Sequence, residues 1–376
     1  MKLDRFDDAR CSGGTLAVCR RLLVALVMYL AASPSAQSKL TPRRFDDPSG
    51  TATFDGATVD RETGDVFLAS TLGVLYHLTE DLRLVDAYHS PSSRDDSSTR
   101  LLELIHRTDR EKIDAKRKEF SYQKLLLFCG NDLCEVVDVS GERIRPVDAV
   151  FTNDSSSSSE LMLFVPNRQP SDANSSAVAM LYSATGDDRQ PTDSDTLTAM
   201  VLDRNTESLL FSLRHRGGIQ LHSDGGAGVR YIYAFDDGQF AYFVFLQPVF
   251  DGSVETRLAR VCVDDEAFYS YTELAVLCRR RPTFQTYFEA AVAAVVAPMG
   301  AALARRLGDR AGADRRALYI AMGGDQKDDN GYGVCVYPLV DVRHEFAQAQ
   351  RDCYRGSGRI LASVDTDERK CTENVS

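Results

Sequence analysis

Residues 231–278 read YIYAFDDGQFAYFVFLQPVFDGSVETRLARVCVDDEAFYSYTELAVLC, and the reading of this stretch decides the fold. Four strand-like runs, YIYAF, QFAYFVFL, ETRLARVCV and YSYTELAVL, alternate with the turn clusters Asp236-Asp237-Gly238, Phe250-Asp251-Gly252-Ser253 and Asp264-Asp265-Glu266. Four strands in 48 residues make one sheet. The first two runs are rich in Tyr, Phe and Val and apolar at nearly every position, which predicts burial on both faces. The third mixes charge with apolar residues and predicts a half-exposed outer strand. A meander graded in this way has the layout of a propeller blade, and such sheets pack face to face around an axis with a repeat of about 40–50 residues.

Composition sets independent bounds. At 376 residues the chain has room for two average domains, yet an all-β propeller of this length is commonly one domain. A hydrophobic content of 43% is enough for a sizeable core. The formal charge is −11, and because residues 1–38 carry five Lys/Arg against three Asp/Glu, the remainder stands at −13. That balance argues against nucleic acid or an anionic lipid surface as partner and is compatible with a basic protein.

Along the chain, Arg20-Arg21 precedes the eleven-residue apolar run LLVALVMYLAA, followed by small residues ending Ala36-Gln37-Ser38. This is the layout of a secretory signal peptide over residues 1–38, with cleavage expected before Lys39 or Gln37. The run is too short to span a bilayer, which needs about 20 apolar residues. The long segment ahead of it, with Cys11 and Cys19, leaves a signal anchor as the alternative. Strands are expected at 65–69, 73–78, 82–90, 123–129 and 134–139, with a polar loop at 91–98 and a short solvated helix within 108–120. The Ser-rich run at 155–159 and the segments 170–176 and 187–195 read as loops. The Ala-rich bulk of 287–316 favours helix by intrinsic preference. Pro298 and Gly300 break it.

Chemical motifs are scarce. His77, His89, His106, His215, His222 and His344 lie in no metal-ligand spacing, and no HExxH, Walker loop, CxxC pair or GxSxG elbow occurs. Asp325, Asp328, Asp329 and Asn330 lack the ordered spacing and terminal Glu of a calcium loop and read as turn chemistry. Arg279-Arg280-Arg281 reads as a solvated linker, and Lys116, Arg117 and Lys118 as a solvated face. No catalytic, cofactor-binding or metal residue is therefore expected, and the chain is read as a non-enzyme. Extracellular signs are stronger. Asn153, Asn174 and Asn374 begin glycosylation sequons, the first two in expected loops. Seven of the nine cysteines follow the signal region, an odd number that implies a free or intermolecular thiol in a secreted protein.

The run RLARVCVDDEAFYSYTELAVLC, with YIYAFDDGQFAYFVFLQP before it, resembles the segment of plexin Sema domains in which a meander leads into an Arg-x-Cys-x-x-Asp turn, then Ser-Tyr-x-Glu-Leu and a second Cys. The resemblance extends to TGDVFLASTLGVLYHL (63–78), LLLFCGNDLC (125–134), GVCVYPLVDV (333–342) and DCYRGSG (352–358), and covers most of 53–371. Semaphorins and hepatocyte-growth-factor-receptor-type kinases share the fold, but SYTEL and DCYRG are closer to plexins. The resemblance implies an all-β, seven-bladed Sema-type propeller over 39–376, incomplete at the C-terminus with about five blades present. It implies a strand at 286–296, an inserted loop or helix across 298–316, a strand at 317–322, a hairpin tip at 323–333 and a returning strand at 334–339. It pairs Cys129 with Cys134, Cys278 with Cys335 and Cys353 with Cys371, and leaves Cys262 unpaired by truncation, its family counterpart bonding a cysteine beyond the position of Cys371. The early cysteine pair usual in plexins is missing between His89 and Tyr122. The function implied is the extracellular, disulfide-bonded, glycosylated ligand-binding region of a semaphorin receptor acting in cell-surface signalling and axon guidance. The expected contact surface is roughly 161–278, with a co-receptor or a second copy as further partners and membrane contact only through a missing downstream transmembrane segment. A secreted semaphorin-like ligand is the alternative. A secreted propeller enzyme is the rival of a different class, and would need convergent carboxylates or metal ligands.

Overall fold

The computed structural model describes residue 45 and residues 53–60, 62–90, 101–106, 124–129, 133–151, 161–166, 177–185, 196–204, 211–220, 229–249, 253–263, 265, 268–279, 287–288, 290–307, 315–323 and 332–355. They divide into a larger unit, 39–275 with 349–376, and a smaller one containing 276–348.

Among its described residues the larger unit has four antiparallel sheets, each a four-strand meander in chain order. The first contains β1 (Phe54–Val59), β2 (Val66–Ser70), β3 (Val74–Leu78) and β4 (Leu84–His89). The second contains β5 (Leu101–His106), β6 (Lys124–Cys129), β7 (Leu133–Asp138) and β8 (Arg145–Phe151). The third contains β9 (Leu161–Pro166), β10 (Ala177–Thr185), β11 (Thr196–Arg204) and β12 (Phe211–Gln220). The fourth contains β13 (Arg230–Asp236), β14 (Phe240–Pro248), β15 (Val254–Cys262) and β16 (Thr272–Ala275). The opening strands lie side by side, β1 next to β5, β5 next to β9 and β9 next to β13, so the sheets are arrayed as propeller blades with their first strands innermost.

Alternation explains why these strands are apolar at nearly every position. In β6, Leu126 and Phe128 pack with Phe67, Ala69 and Leu75 of the first sheet, while Leu127 and Cys129 pack with Met162 and Phe164 of the third. In β10, Ala179 and Leu181 join the cluster shared with the second sheet, whereas Tyr182 and Ala184 join the one shared with the fourth. A strand sandwiched between two sheets has no solvent face, and the period-2 polar signal disappears.

Local chemistry sets the turns. In the β13–β14 hairpin the Asp237 carboxylate accepts the Gln239 and Phe240 backbone N–H groups at 3.0 and 2.9 Å, and Gly238 takes the left-handed φ of 96° that a side chain would resist. The expectation for the third strand is corrected. β15 is largely buried, with Arg260 only 3% exposed, because it runs between β14 and β16 and its charges find partners within the sheet and beyond it.

Polar contacts join the first two sheets. Ser90 donates to Glu135 at 2.7 Å, and the Asp86 carboxylate accepts the Ile144 N–H at 2.8 Å. Burial, helped by the Glu135 carboxylate, pushes the Tyr88 hydroxyl up to about 12. Asp60, 1% exposed, receives the Lys124 ammonium, the Glu62 N–H and the Thr63 hydroxyl. Burial alone would push this carboxyl up. Its donors outweigh that and hold it down at about 2, against an ordinary 3.8. Because the folded value lies below the unfolded one, the stabilisation is complete above the ordinary value and is lost as pH falls through the window down to about 2. Asp60→Asn is expected to lower stability at neutral pH by about 2 kcal/mol and to flatten the acid limb of the profile, read from urea melts between neutrality and pH 2.

The smaller unit pairs β17 (Cys278–Arg279) with β18 (Tyr287–Phe288), and orders β19 (Ala290–Pro298), β20 (Arg316–Gly323) and β21 (Tyr332–Pro338) as a three-stranded sheet. Pairing overrides propensity in β19. Eight alanines and valines form a strand registered from Ala290 opposite Gly323 to Pro298 opposite Arg316, and the excursion that follows contains the short helix α1 (Ala301–Leu307). A Cβ on Gly333 would lie 2.6 Å from the Phe288 ring, so the ring packs onto a backbone bared by glycine and would have to shift for any larger residue. The strand expected to run to 339 ends at Pro338, and helix α2 (Leu339–Tyr354) takes over. Its buried Leu339, Val342 and Phe346 stand at helical spacing, a signal present in the sequence.

Candidate protein-binding surface

The deciding stretch builds a locked corner at the end of β15. Asp265 organises it. Its carboxylate accepts the Ser270 backbone N–H and hydroxyl at 2.5 and 2.6 Å, and the Ser270 oxygen accepts the Cys262 N–H at 2.8 Å. Backbone bonds run from Asp265 N–H to the Cys262 carbonyl at 3.1 Å, and from Tyr271 N–H to the Phe268 carbonyl at 3.1 Å. Phe268, fully buried, has a φ of 56°, a left-handed conformation that costs a bulky side chain on the order of 1 kcal/mol. It persists because the ring is seated in the cluster between the third and fourth sheets. The chain is thereby turned so that Tyr269 stands 77% exposed between Phe268 at 0% and Ser270 at 5%.

Behind this corner lies a buried charged network. Arg257 donates to Glu255 at 2.7 Å and stands 3.6 Å from Glu273, whose side chain is wholly buried and accepts the Tyr271 hydroxyl at 2.7 Å. Burial, then the Glu273 charge, pushes the Tyr271 hydroxyl well above its usual range. Arg260 lies 4.1 Å over the Phe240 ring and donates to Gln350 at 3.0 Å, and Gln350 in turn donates to Thr272 at 3.3 Å. Burial pulls the Arg260 guanidinium below its ordinary value.

Cys129 and Cys134, register partners across β6 and β7, are bonded and fully buried between the second and third sheets. Cys278 and Cys335 are bonded and tie β17 to β21. Cys262 ends β15, half-buried, with its backbone N–H on Ser270. Cys353 falls within α2, while Cys371, the sequons at Asn153, Asn174 and Asn374, residues 1–38 and the helix expected within 108–120 lie outside the described residues. Among the described residues no group of three or more His, Cys, Asp or Glu is placed to hold a metal ion, and no helix is long and apolar enough to cross a membrane. Sequence reasoning missed Tyr269 and the Arg257–Glu273–Tyr271 network. The signal was available only as charges within an otherwise apolar strand.

No family model matches the sequence. The chain is 24% identical to plexin-A4 of Mus musculus over 358 residues, which is 85% of this chain and 18% of that protein. It is 28% identical to plexin-A4 of Danio rerio over 222 residues, covering 51% and 11% respectively. With plexin-B2 of Mus musculus the identity is 33% over 132 residues, 34% of this chain and 6% of the relative. The chain thus spans less than a fifth of the length of these relatives. Among solved structures it matches the plexin A4 full extracellular region, domains 1 to 8, with a TM-score of 0.58 at 18% identity, over 86% of this chain and 38% of that one; this likeness concerns the fold. With an Arg-x-Cys-x-x-Asp turn folded into a propeller-type sheet, the chain is similar to plexin extracellular regions along most of its length.

Proposed function

We propose that this chain is the ligand-binding propeller of a plexin-like semaphorin receptor, non-catalytic itself, acting at the extracellular face of the cell in guidance signalling. The observation that carries this is plexin-A4 similarity over 85% of the chain. The reading includes a signal peptide at 1–38, a Sema region from 39 and glycans on Asn153 and Asn174. Its ligand is a semaphorin engaged edge to edge, with the third and fourth sheets as the contact region. Their interface suits that role mechanically, since an apolar cluster continuous from Leu163 to Tyr271 makes a stiff platform.

The test is surface plasmon resonance of the secreted, glycosylated chain against a panel of semaphorins from the same source. Saturable binding to at least one member, lost on unfolding of the chain, is expected. Failure to bind any member in a folded preparation overturns the receptor reading.

A further inference from the structure

We infer that Tyr269 is an anchor through which this chain grips its protein ligand, an inference that rests on the receptor reading above. Exposed large apolar side chains in the larger unit are few among the described residues: Val59 at 39%, Leu72 at 42%, Leu84 at 44% and Tyr269 at 77%. The first three are on or beside the first sheet. Tyr269 alone among them lies on the fourth sheet's side, in the turn between β15 and β16.

Exposure by itself would carry nothing, since scattered apolar side chains on a surface are ordinary. What distinguishes Tyr269 is the contrast with its neighbours. Phe268, Ser270 and Tyr271 are 0%, 5% and 4% exposed, and the intervening backbone is fixed by both donors of Ser270 on Asp265, by the Cys262 N–H on Ser270 and by the Phe268 carbonyl. A relaxed turn would leave a bulky residue out of the left-handed region. Here Phe268 occupies it, and the following side chain is directed away from the core.

The result is a ring on a hydrogen-bonded backbone with two side-chain torsions left to order. The conformational cost of seating it in a partner is small, which is the property that makes tyrosine effective as a rigid anchor. The fitting partner is a protein surface offering a shallow apolar pocket with a hydrogen-bond acceptor at its end for the phenol. Aromatic anchors of this kind concentrate binding energy when they become desolvated.

The experiment compares the unaltered full chain with Tyr269→Ala, Tyr269→Phe and, as a control on the first sheet, Leu84→Ala. Each is tested against the semaphorin that binds best in the panel. Tyr269→Ala is expected to weaken binding by at least about tenfold, with Tyr269→Phe keeping most of it and Leu84→Ala within about twofold. Melting temperatures should be unchanged in all three, because each altered side chain lies at the surface. An unaltered chain that binds, with Tyr269→Ala binding equally well, overturns the anchor and leaves the receptor reading standing. An unaltered chain that binds nothing removes both. Equal losses in Tyr269→Ala and Leu84→Ala also overturn the anchor, since the effect would then not be local.

Discussion

Replacing Phe243 by alanine is expected to destabilise the larger unit by about 3–5 kcal/mol, the range for removing a fully buried aromatic ring. Phe243 is 1% exposed at the middle of β14, in register with Ala234 on one side and Ala259 on the other. Small residues flank it within its own sheet, so the ring projects across to the third sheet and meets Tyr182 edge-on at 5.7 Å. Tyr182 also donates to the Val263 carbonyl at 3.2 Å. Truncation thus removes apolar burial and an aromatic pair together, and loosens the seat of the Tyr182 hydrogen bond. The surrounding strands are held by antiparallel ladders on both sides and cannot collapse into the space. Urea unfolding followed by tyrosine fluorescence gives the number. A loss below about 1.5 kcal/mol would mean that the sheets slide together to fill the void, and that the packing between the third and fourth sheets is softer than interleaved side chains imply.

The architecture was legible wherever local chemistry and pattern agreed. The Asp237-Gly238 turn announces its hairpin because a carboxylate that accepts neighbouring N–H groups and a residue free to take positive φ are both written in the sequence. The paired runs of Leu125 to Cys129 and Cys134 to Asp138 likewise leave little choice. Elsewhere the deciding interactions join residues far apart in the chain. The five alanines of β19 have helical propensity, and the β20 partner supplies the backbone donors and acceptors that make a strand the better state. β15 departs from the expectation because a run containing Arg257 and Arg260 resembles a wet strand, and nothing in the local sequence says that Glu273, Phe240 and Gln350 will be waiting for those guanidiniums. The helix α2 was hidden by Pro338, which reads as a strand residue before it and a helix start after it. At the candidate surface, the Ser-Tyr-x-Glu-Leu motif marked the place but not the division of labour. Ser270 and Glu273 turn inward to hold the corner, and Tyr269, unremarkable by type, is the residue left facing out.

That division of labour makes Glu273 the most sensitive position of the motif. Glu273→Ala is expected to cost about 3–5 kcal/mol, because breaking a buried ion pair leaves a desolvated charge behind. Three consequences arrive together. Arg257 keeps only Glu255, whose side chain is 35% exposed and therefore a weaker counter-charge. The buried Tyr271 hydroxyl loses the acceptor it now reaches at 2.7 Å. The carboxylate that raised the Tyr271 hydroxyl disappears, so that group should titrate closer to its ordinary range than in the unaltered chain, although burial still holds it up. The companion variants separate these effects. Glu273→Gln retains an acceptor for Tyr271 but not the charge, and should recover part of the loss. Removing both charges in Arg257→Met with Glu273→Leu should cost much less than Glu273→Ala alone, since two matched apolar groups leave no orphaned ion. Stability is read by urea melts and the hydroxyl by alkaline difference spectra. If the double replacement is as damaging as the single one, the network would act through shape and not through charge, and the tight coupling of this corner to its paired carboxylates would have to be abandoned.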